Sequence, residues 1–213
     1  MIKLYKIDEP DILAKNGGVW TQKLLQEIKS GGARRKYYEA KYRHPKIKEA
    51  ICKETRNKCA YCETFVTAAS FGDIEHIIPK SRCRERTFEW SNLTLSCQKC
   101  NSKKSDYYSV EHPLLNPYID DPCAHMICVG AWISHKDDKG QITVEILNLN
   151  RAELLQNRSN KLEKIKKLKE TYSEITDGKV REHLKKEMLA YSNDIEEYSF
   201  MFTEYLYAEE CFG

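Results

Sequence analysis

Nowhere in the 213 residues is there an apolar run long enough to cross a bilayer, which takes about 20 consecutive apolar positions. The opening MIKLYKIDEP lacks the apolar core of a secretory leader. There is no internal repeat and no low-complexity stretch. These absences exclude membrane-spanning helices and solenoid architectures, and the expected location is cytoplasmic. In that compartment the thiol pool keeps cysteines reduced, so the nine cysteines are not read as a disulfide framework. They are expected to be metal ligands or small buried hydrophobes. With 41% hydrophobic and 31% charged residues, the chain also lacks the composition of a disordered protein.

Net charge is only +3, but it is unevenly spread. Residues 31–104 hold 17 Lys and Arg against 8 Asp and Glu, whereas residues 105–213 hold 13 against 20. A basic segment joined to an acidic one fits a polyanion-binding centre with a differently employed tail. The same counts also fit an ordinary solvated surface.

Hydrophobic periodicity places helices over residues 21–30, 34–43 and 45–56, the first stopped by Gly31-Gly32 and the third opened by Pro45. Short β-like runs are read at 64–67, 74–78 and 92–95, with Ser70-Phe71-Gly72 between the first two, and a helix at 101–108. A hairpin is expected from strands 126–134 and 141–147 around the turn Asp137-Asp-Lys-Gly140. Two further helices, broken at Asp177-Gly178, account for the C-terminal third; the second carries its apolar stripe through Phe202. The lysines at 161, 164, 166, 167 and 169 read as a solvated face. The other five cysteines, 52, 83, 123, 128 and 211, show no ligand spacing and read as structural.

The cysteine pairs carry the first chemical signal. Cys59-Ala-Tyr-Cys62 and Cys97-Gln-Lys-Cys100 each offer two thiolates at zinc-knuckle spacing. Together they make an all-thiolate tetrahedral set, the closed geometry of structural Zn2+. A redox pair would sit in a βαβ pattern, which is absent. The 34 residues between the pairs exceed a simple ribbon, so something folded lies between them. There stands Gly72-Asp-Ile-Glu-His-Ile-Ile-Pro79, then Asn92 at a loop-like break, and Asn101 directly after the last cysteine. A deaminase reading fails on order, because the acid precedes the histidine and no proline precedes either cysteine pair.

Strand, strand and helix with His, Asn and Asn at these places resemble the HNH endonucleases, in the variant where asparagine replaces the last histidine. Asp73-Ile-Glu-His-Ile-Ile-Pro79 and Asn101-Ser-Lys-Lys-Ser-Asp106 follow that family's two signature blocks. The resemblance implies an α+β, mostly helical fold. Its zinc-pinned ββα-metal core (51–109) would lie between an N-terminal helical segment (1–50) and a region of hairpin and C-terminal helices (110–213). It implies hydrolysis of phosphodiesters, with His76 as general base and Asn92 fastening the loop and orienting it. Glu75 and Asn101, with Asp73 in reserve, would be oxygen ligands for a catalytic Mg2+ or Mn2+. Glu at position 75, where Asp is commoner, departs from the family pattern. Lys103, Lys104, Lys80, Arg82, Arg84 and Arg86 could grip phosphates.

Three further stretches, Ala33-Arg-Arg-Lys-Tyr-Tyr-Glu-Ala-Lys-Tyr42, His112-Pro-Leu-Leu-Asn-Pro-Tyr118 and Leu147-Asn-Leu-Asn-Arg151, are similar to the HNH proteins of Septu antiphage systems and certain retrons, the PtuB type. That resemblance implies an effector nuclease working with an ABC/SMC-like, PtuA-type ATPase, and in some settings with a retron reverse transcriptase and its DNA. DNA is the expected substrate. An RNase using the same centre and a non-catalytic zinc-stabilised nucleic-acid-binding module remain alternatives. The tail, with seven acidic residues and no Lys or Arg over residues 187–210, is read as a docking element for a partner. Its aromatic residues fit equally well packed back onto the chain's own core.

Overall fold

The computed structural model describes residues 1–66 and 72–208. Helix α1 (Asp11–Ser30) is longer than its clearest apolar stripe, because Pro10 and Asp11 suit a helix start ten residues earlier. It ends where Gly31 turns left-handed at φ +65°, and the Gly32 amide donates back to the Glu27 carbonyl at 2.8 Å. A short α2 (Arg35–Glu39) tightens into a 3-10 turn (Ala40–Arg43) before α3 (Pro45–Glu54). Strands β1 (Asp73–His76) and β2 (Leu93–Ser96) pair antiparallel, with Glu75 opposite Thr94 and His76 opposite Leu93. Helix α4 (Gln98–Lys104) follows β2 and packs on β1. Of the β-like run at 64–67, Phe65 makes one bridge to Lys58; Thr67 and the Ser70-Phe71 break fall outside the described residues.

Two apolar cores hold this unit. In the first, Leu13 and Leu24 of α1 and Ile47 and Ile51 of α3 meet Phe88, Trp90, Leu93 and Leu95. The N-terminal helices are thereby clamped onto β2 and the β1–β2 connection, where Trp20 meets Phe88 edge-on. In the second, Tyr61 and the cysteine knuckles share a core with Leu115, Met126, Ile133, Leu147, Leu149, Leu154 and Ile165.

The C-terminal half corrects the expected hairpin. The short α5 (Pro122–His125) leads into strands β3 (Met126–Val129) and β4 (Trp132–His135), which turn at Gly130, φ +58°. Residues 141–147, read as a strand, lie instead mostly within helix α6 (Asp138–Ile146). The turn-like Asp137-Asp-Lys-Gly140 is its cap, the Asp137 carboxylate accepting from the Gly140 amide at 2.8 Å. Gly140 is required there, since a β-carbon would lie 2.1 Å from the His125 carbonyl oxygen.

Helices α7 (Ala152–Glu174) and α8 (Gly178–Ala190) break at the expected place, where Asp177 caps α8. The second helix does not run through to Phe202. It stops at Ala190, and α9 (Ser199–Ala208) begins after Tyr198, whose φ is +61°. A distant carboxylate organises that restart. Glu63 accepts from the Ser199 hydroxyl at 3.0 Å and the Phe200 amide at 3.2 Å. Phe200, Met201 and Phe202 are consequently buried in the second core. The reading of these three as a docking surface is corrected: burial inside the chain outweighs it. Among the described residues no helix is long and apolar enough to cross a membrane.

Candidate active site and zinc site

The four cysteines converge. Cys59 and Cys62 sit on a tight turn in which the Glu63 amide donates to the Cys59 carbonyl at 2.9 Å. Cys97 caps α4, and Cys100 lies one turn inside it. All four Sγ atoms fall within 4.8 Å of one another, and Cys62 and Cys97 are 3.7 Å apart. A tetrahedral Zn2+ with bonds of about 2.3 Å needs sulfur–sulfur edges of about 3.8 Å. The donor set fits zinc in both type and spacing. Sequence reasoning gave no role to Arg151, which completes the cluster. Its Nη1 lies 3.6 Å from Cys100 Sγ, and its Nη2 lies 3.6 Å from Cys62 Sγ and 3.8 Å from Cys97 Sγ. A guanidinium there offsets thiolate charge that burial would otherwise penalise.

Beside this knob, β1 and α4 wall a cavity of about 330 Å3 lined by Glu75, His76, Asn101, Tyr42, Glu39, Lys80 and Arg84. His76 is 5% exposed, and its Nε2 lies 3.0 Å from the Thr87 carbonyl oxygen. A carbonyl only accepts, so Nε2 carries the hydrogen and Nδ1 keeps the lone pair. Burial pushes the imidazole's pKa down to about 3, against the Thr87 bond that favours its charged form, so it is neutral near pH 7. The Tyr42 ring packs edge-on against it, centroids 4.7 Å apart. Thr87 and Tyr42 thus orient the ring.

Glu75 is also buried, and Lys104 Nζ pairs with its Oε1 at 2.7 Å while donating to the His76 carbonyl at 2.9 Å. Burial holds the Glu75 carboxyl above its ordinary range despite that lysine. Lys104, itself 2% exposed, therefore has its ammonium committed inside the protein, which corrects the expectation that it grips phosphate. Asn101 donates from Nδ2 to Asp73 Oδ2 at 2.7 Å, which leaves its amide oxygen as an acceptor. Asp73 lines a second cavity, with Arg43, Lys48 and Asn101. Asn101 belongs to both.

Asn92 lies behind this wall, 1% exposed. Its side chain accepts from the Ile78 amide at 2.7 Å and donates to the Ile78 and Arg86 carbonyls, stapling the connection that carries Thr87. Of the basic residues, Arg82 pairs with Asp106 and Arg86 with Glu89 at exposed positions, while Lys80 and Arg84 face the cavity. Glu39, Tyr42 and the Thr87 carbonyl escaped sequence reasoning. Tyr42 and Glu39 lie in the stretch 33–42 that carried the wider resemblance, which was the only signal for them.

Two short antiparallel strands, a following helix and a four-cysteine knob, with Glu, His and Asn on a common cavity, define an HNH-type nuclease domain. Residues 59–107 match the family model described as HNH endonuclease, and the chain carries that domain. It is 33% identical to a Septu protein PtuB of Bacillus thuringiensis, over 73% of this chain and 57% of that protein. A second Septu protein PtuB, from Bacillus mycoides, is 28% identical over 55% of this chain and 51% of its own length. The chain thus spans little more than half the length of the curated relatives it matches.

Proposed function

We propose that this chain is a metal-dependent endonuclease that hydrolyses phosphodiester bonds in DNA, as the effector of a Septu-like antiphage complex. The observation that carries the reading is the His76 ring, fixed by Thr87 with its basic Nδ1 spare, on one cavity with Glu75 and Asn101. In the reaction His76 takes the proton of the attacking water at Nδ1. Asn92 acts through the loop, holding the Thr87 carbonyl where it sets the tautomer. The Glu75 carboxylate and the Asn101 amide oxygen are hard donors suited to Mg2+ or Mn2+, with Asp73 reached through Asn101. A cation bound there would stabilise the charge developing on the leaving oxygen. Lys104 balances Glu75 and ties it to the backbone of His76. Cys59, Cys62, Cys97 and Cys100 hold a structural Zn2+ that fixes α4, and Asn101 with it, against β1.

DNA as substrate and an ABC/SMC-like, PtuA-type ATPase as partner follow from the resemblance to the PtuB proteins; a retron setting with its reverse transcriptase is a narrower form of the same reading. The test is cleavage of DNA and RNA of matched sequence with Mg2+ or Mn2+, with and without a co-purified partner. His76→Ala is expected to lose about 10²–10⁴ in rate, the usual worth of a general base, while zinc content and DNA binding persist. Cleavage by His76→Ala at the parent rate would remove the catalytic assignment. Cleavage of RNA alone would replace the substrate.

A further inference from the structure

The cavity that holds His76 contains an anion of the protein's own. Glu39, the last residue of α2, projects its carboxylate into it from the N-terminal helices. Its Oε1 accepts from Arg84 Nη1 at 2.8 Å and lies 3.6 Å from Lys80 Nζ. Lys80 is itself positioned, donating to the Tyr42 hydroxyl at 3.2 Å with its ammonium 4.5 Å from the centre of that ring. Tyr42 in turn packs on His76. One chain of contacts therefore links the imidazole to Lys80, and Lys80 to Arg84 through a shared carboxylate oxygen. These side chains are about a quarter exposed, so solvent and ligands reach them.

An arginine and a lysine converging on one oxyanion is the arrangement that binds phosphate. Here the oxyanion is a carboxylate, in a cleft that our nuclease reading assigns to phosphodiesters. Burial pushes the Glu39 carboxyl up, but Lys80 and Arg84 outweigh it and keep it below the ordinary range, so it is anionic at neutral pH. A carboxylate in that position cannot coexist with a phosphate on the same donors without close repulsion.

We propose that Lys80 and Arg84 form a phosphate subsite for the nucleotide next to the scissile bond, and that Glu39 is its resident competitor, displaced when a phosphodiester enters. The proposal rests on the nuclease reading for its neighbour, His76, but it is tested by binding alone. The zinc-loaded full chain is titrated into a fluorescently labelled DNA duplex, and separately into RNA, with no divalent metal added. Glu39→Gln is near-isosteric, and by removing a partly exposed ion pair it should tighten binding about two- to fivefold. Arg84→Gln should weaken binding and lower the salt slope by about one. In an Arg84→Gln or Lys80→Gln background, Glu39→Gln should lose most of its gain, because the donors it frees are incomplete.

Binding by Glu39→Gln that is no tighter than the parent's on either DNA or RNA overturns the proposal and makes Glu39 an orienting group. A gain of undiminished size without Arg84 and without Lys80 also overturns it, reducing the effect to net charge. No measurable binding by parent or Glu39→Gln overturns it too. Backbone recognition predicts the same ranking on RNA; tightening on RNA alone keeps the subsite and moves it to an RNA-binding cleft. Failure of the nuclease reading is separate, since it appears as unchanged cleavage by His76→Ala whatever the binding series gives.

Discussion

Lys103 and Lys104 are neighbours in sequence and opposites in circumstance. The first is exposed on α4; the second is buried with its ammonium between the Glu75 carboxylate and the His76 carbonyl. Truncating one partner of a buried pair leaves a charge without water or counter-ion, which typically costs about 3–5 kcal/mol. Lys104→Met should therefore lower the denaturation midpoint sharply, whereas Lys103→Ala should stay within about 0.5 kcal/mol of the parent. Urea unfolding of the two variants decides it, and equal effects would mean that Lys104 is solvated after all. Nothing in Lys-Lys distinguishes the two in the sequence. The difference arises from helical phase, which turns residue 104 towards β1 while residue 103 faces out. Thr87 was unreadable for another reason: its contribution to the site is a backbone carbonyl, which any residue carries.

At the scale of elements, the short ββα unit shows which signals survive from sequence to fold. The cysteine spacings were legible because four thiolates at two knuckles admit few alternatives, and the structure brings all four sulfurs within 4.8 Å. A strand was legible at 74–78, although β1 spans Asp73–His76 and leaves Ile77 and Ile78 outside it, and the long helices were legible from apolar periodicity. The hairpin was not. Asp137-Asp-Lys-Gly140 has the composition of a turn, yet Asp137 caps a helix with it, and only the approach of Gly140 to His125 distinguishes the two uses. Likewise the run from Leu184 to Phe202 keeps helical spacing, but the left-handed Tyr198 and the remote Glu63 cap interrupt it. With so few hydrogen bonds between its two four-residue strands, the unit depends on its knob. Elemental analysis should find about one zinc per chain, and Cys97→Ser should lose both the zinc and cooperative unfolding, since structural zinc supplies on the order of 10 kcal/mol. A well-folded, zinc-free Cys97→Ser protein would count against a structural role.

Across the whole molecule, the tail is a part of the interior. Phe200, Met201 and Phe202 are each at most 2% exposed and share a core with Tyr61 and the knuckle cysteines. Burying such side chains stabilises by about 1.5–3 kcal/mol each, a total comparable with the entire margin of roughly 5–15 kcal/mol that keeps a domain folded. Removing residues 199–213 should therefore yield an aggregating or zinc-poor protein, read by size-exclusion chromatography and metal content. A truncated chain that stays monodisperse and keeps its zinc would show that the tail is dispensable to the core.

Arg151 sets an order of events. Synthesis delivers the knuckle cysteines first, the guanidinium that touches three of their sulfurs 51 residues after Cys100, and the Phe200 amide that donates to Glu63 137 residues after that glutamate. While the chain is still being made, the thiolates stand without their counter-charge and the second core without its last layer. The knuckle and the second core can therefore reach their final packing only after Arg151 and the Phe200 segment have been made, although the cysteines they pack against emerge far earlier.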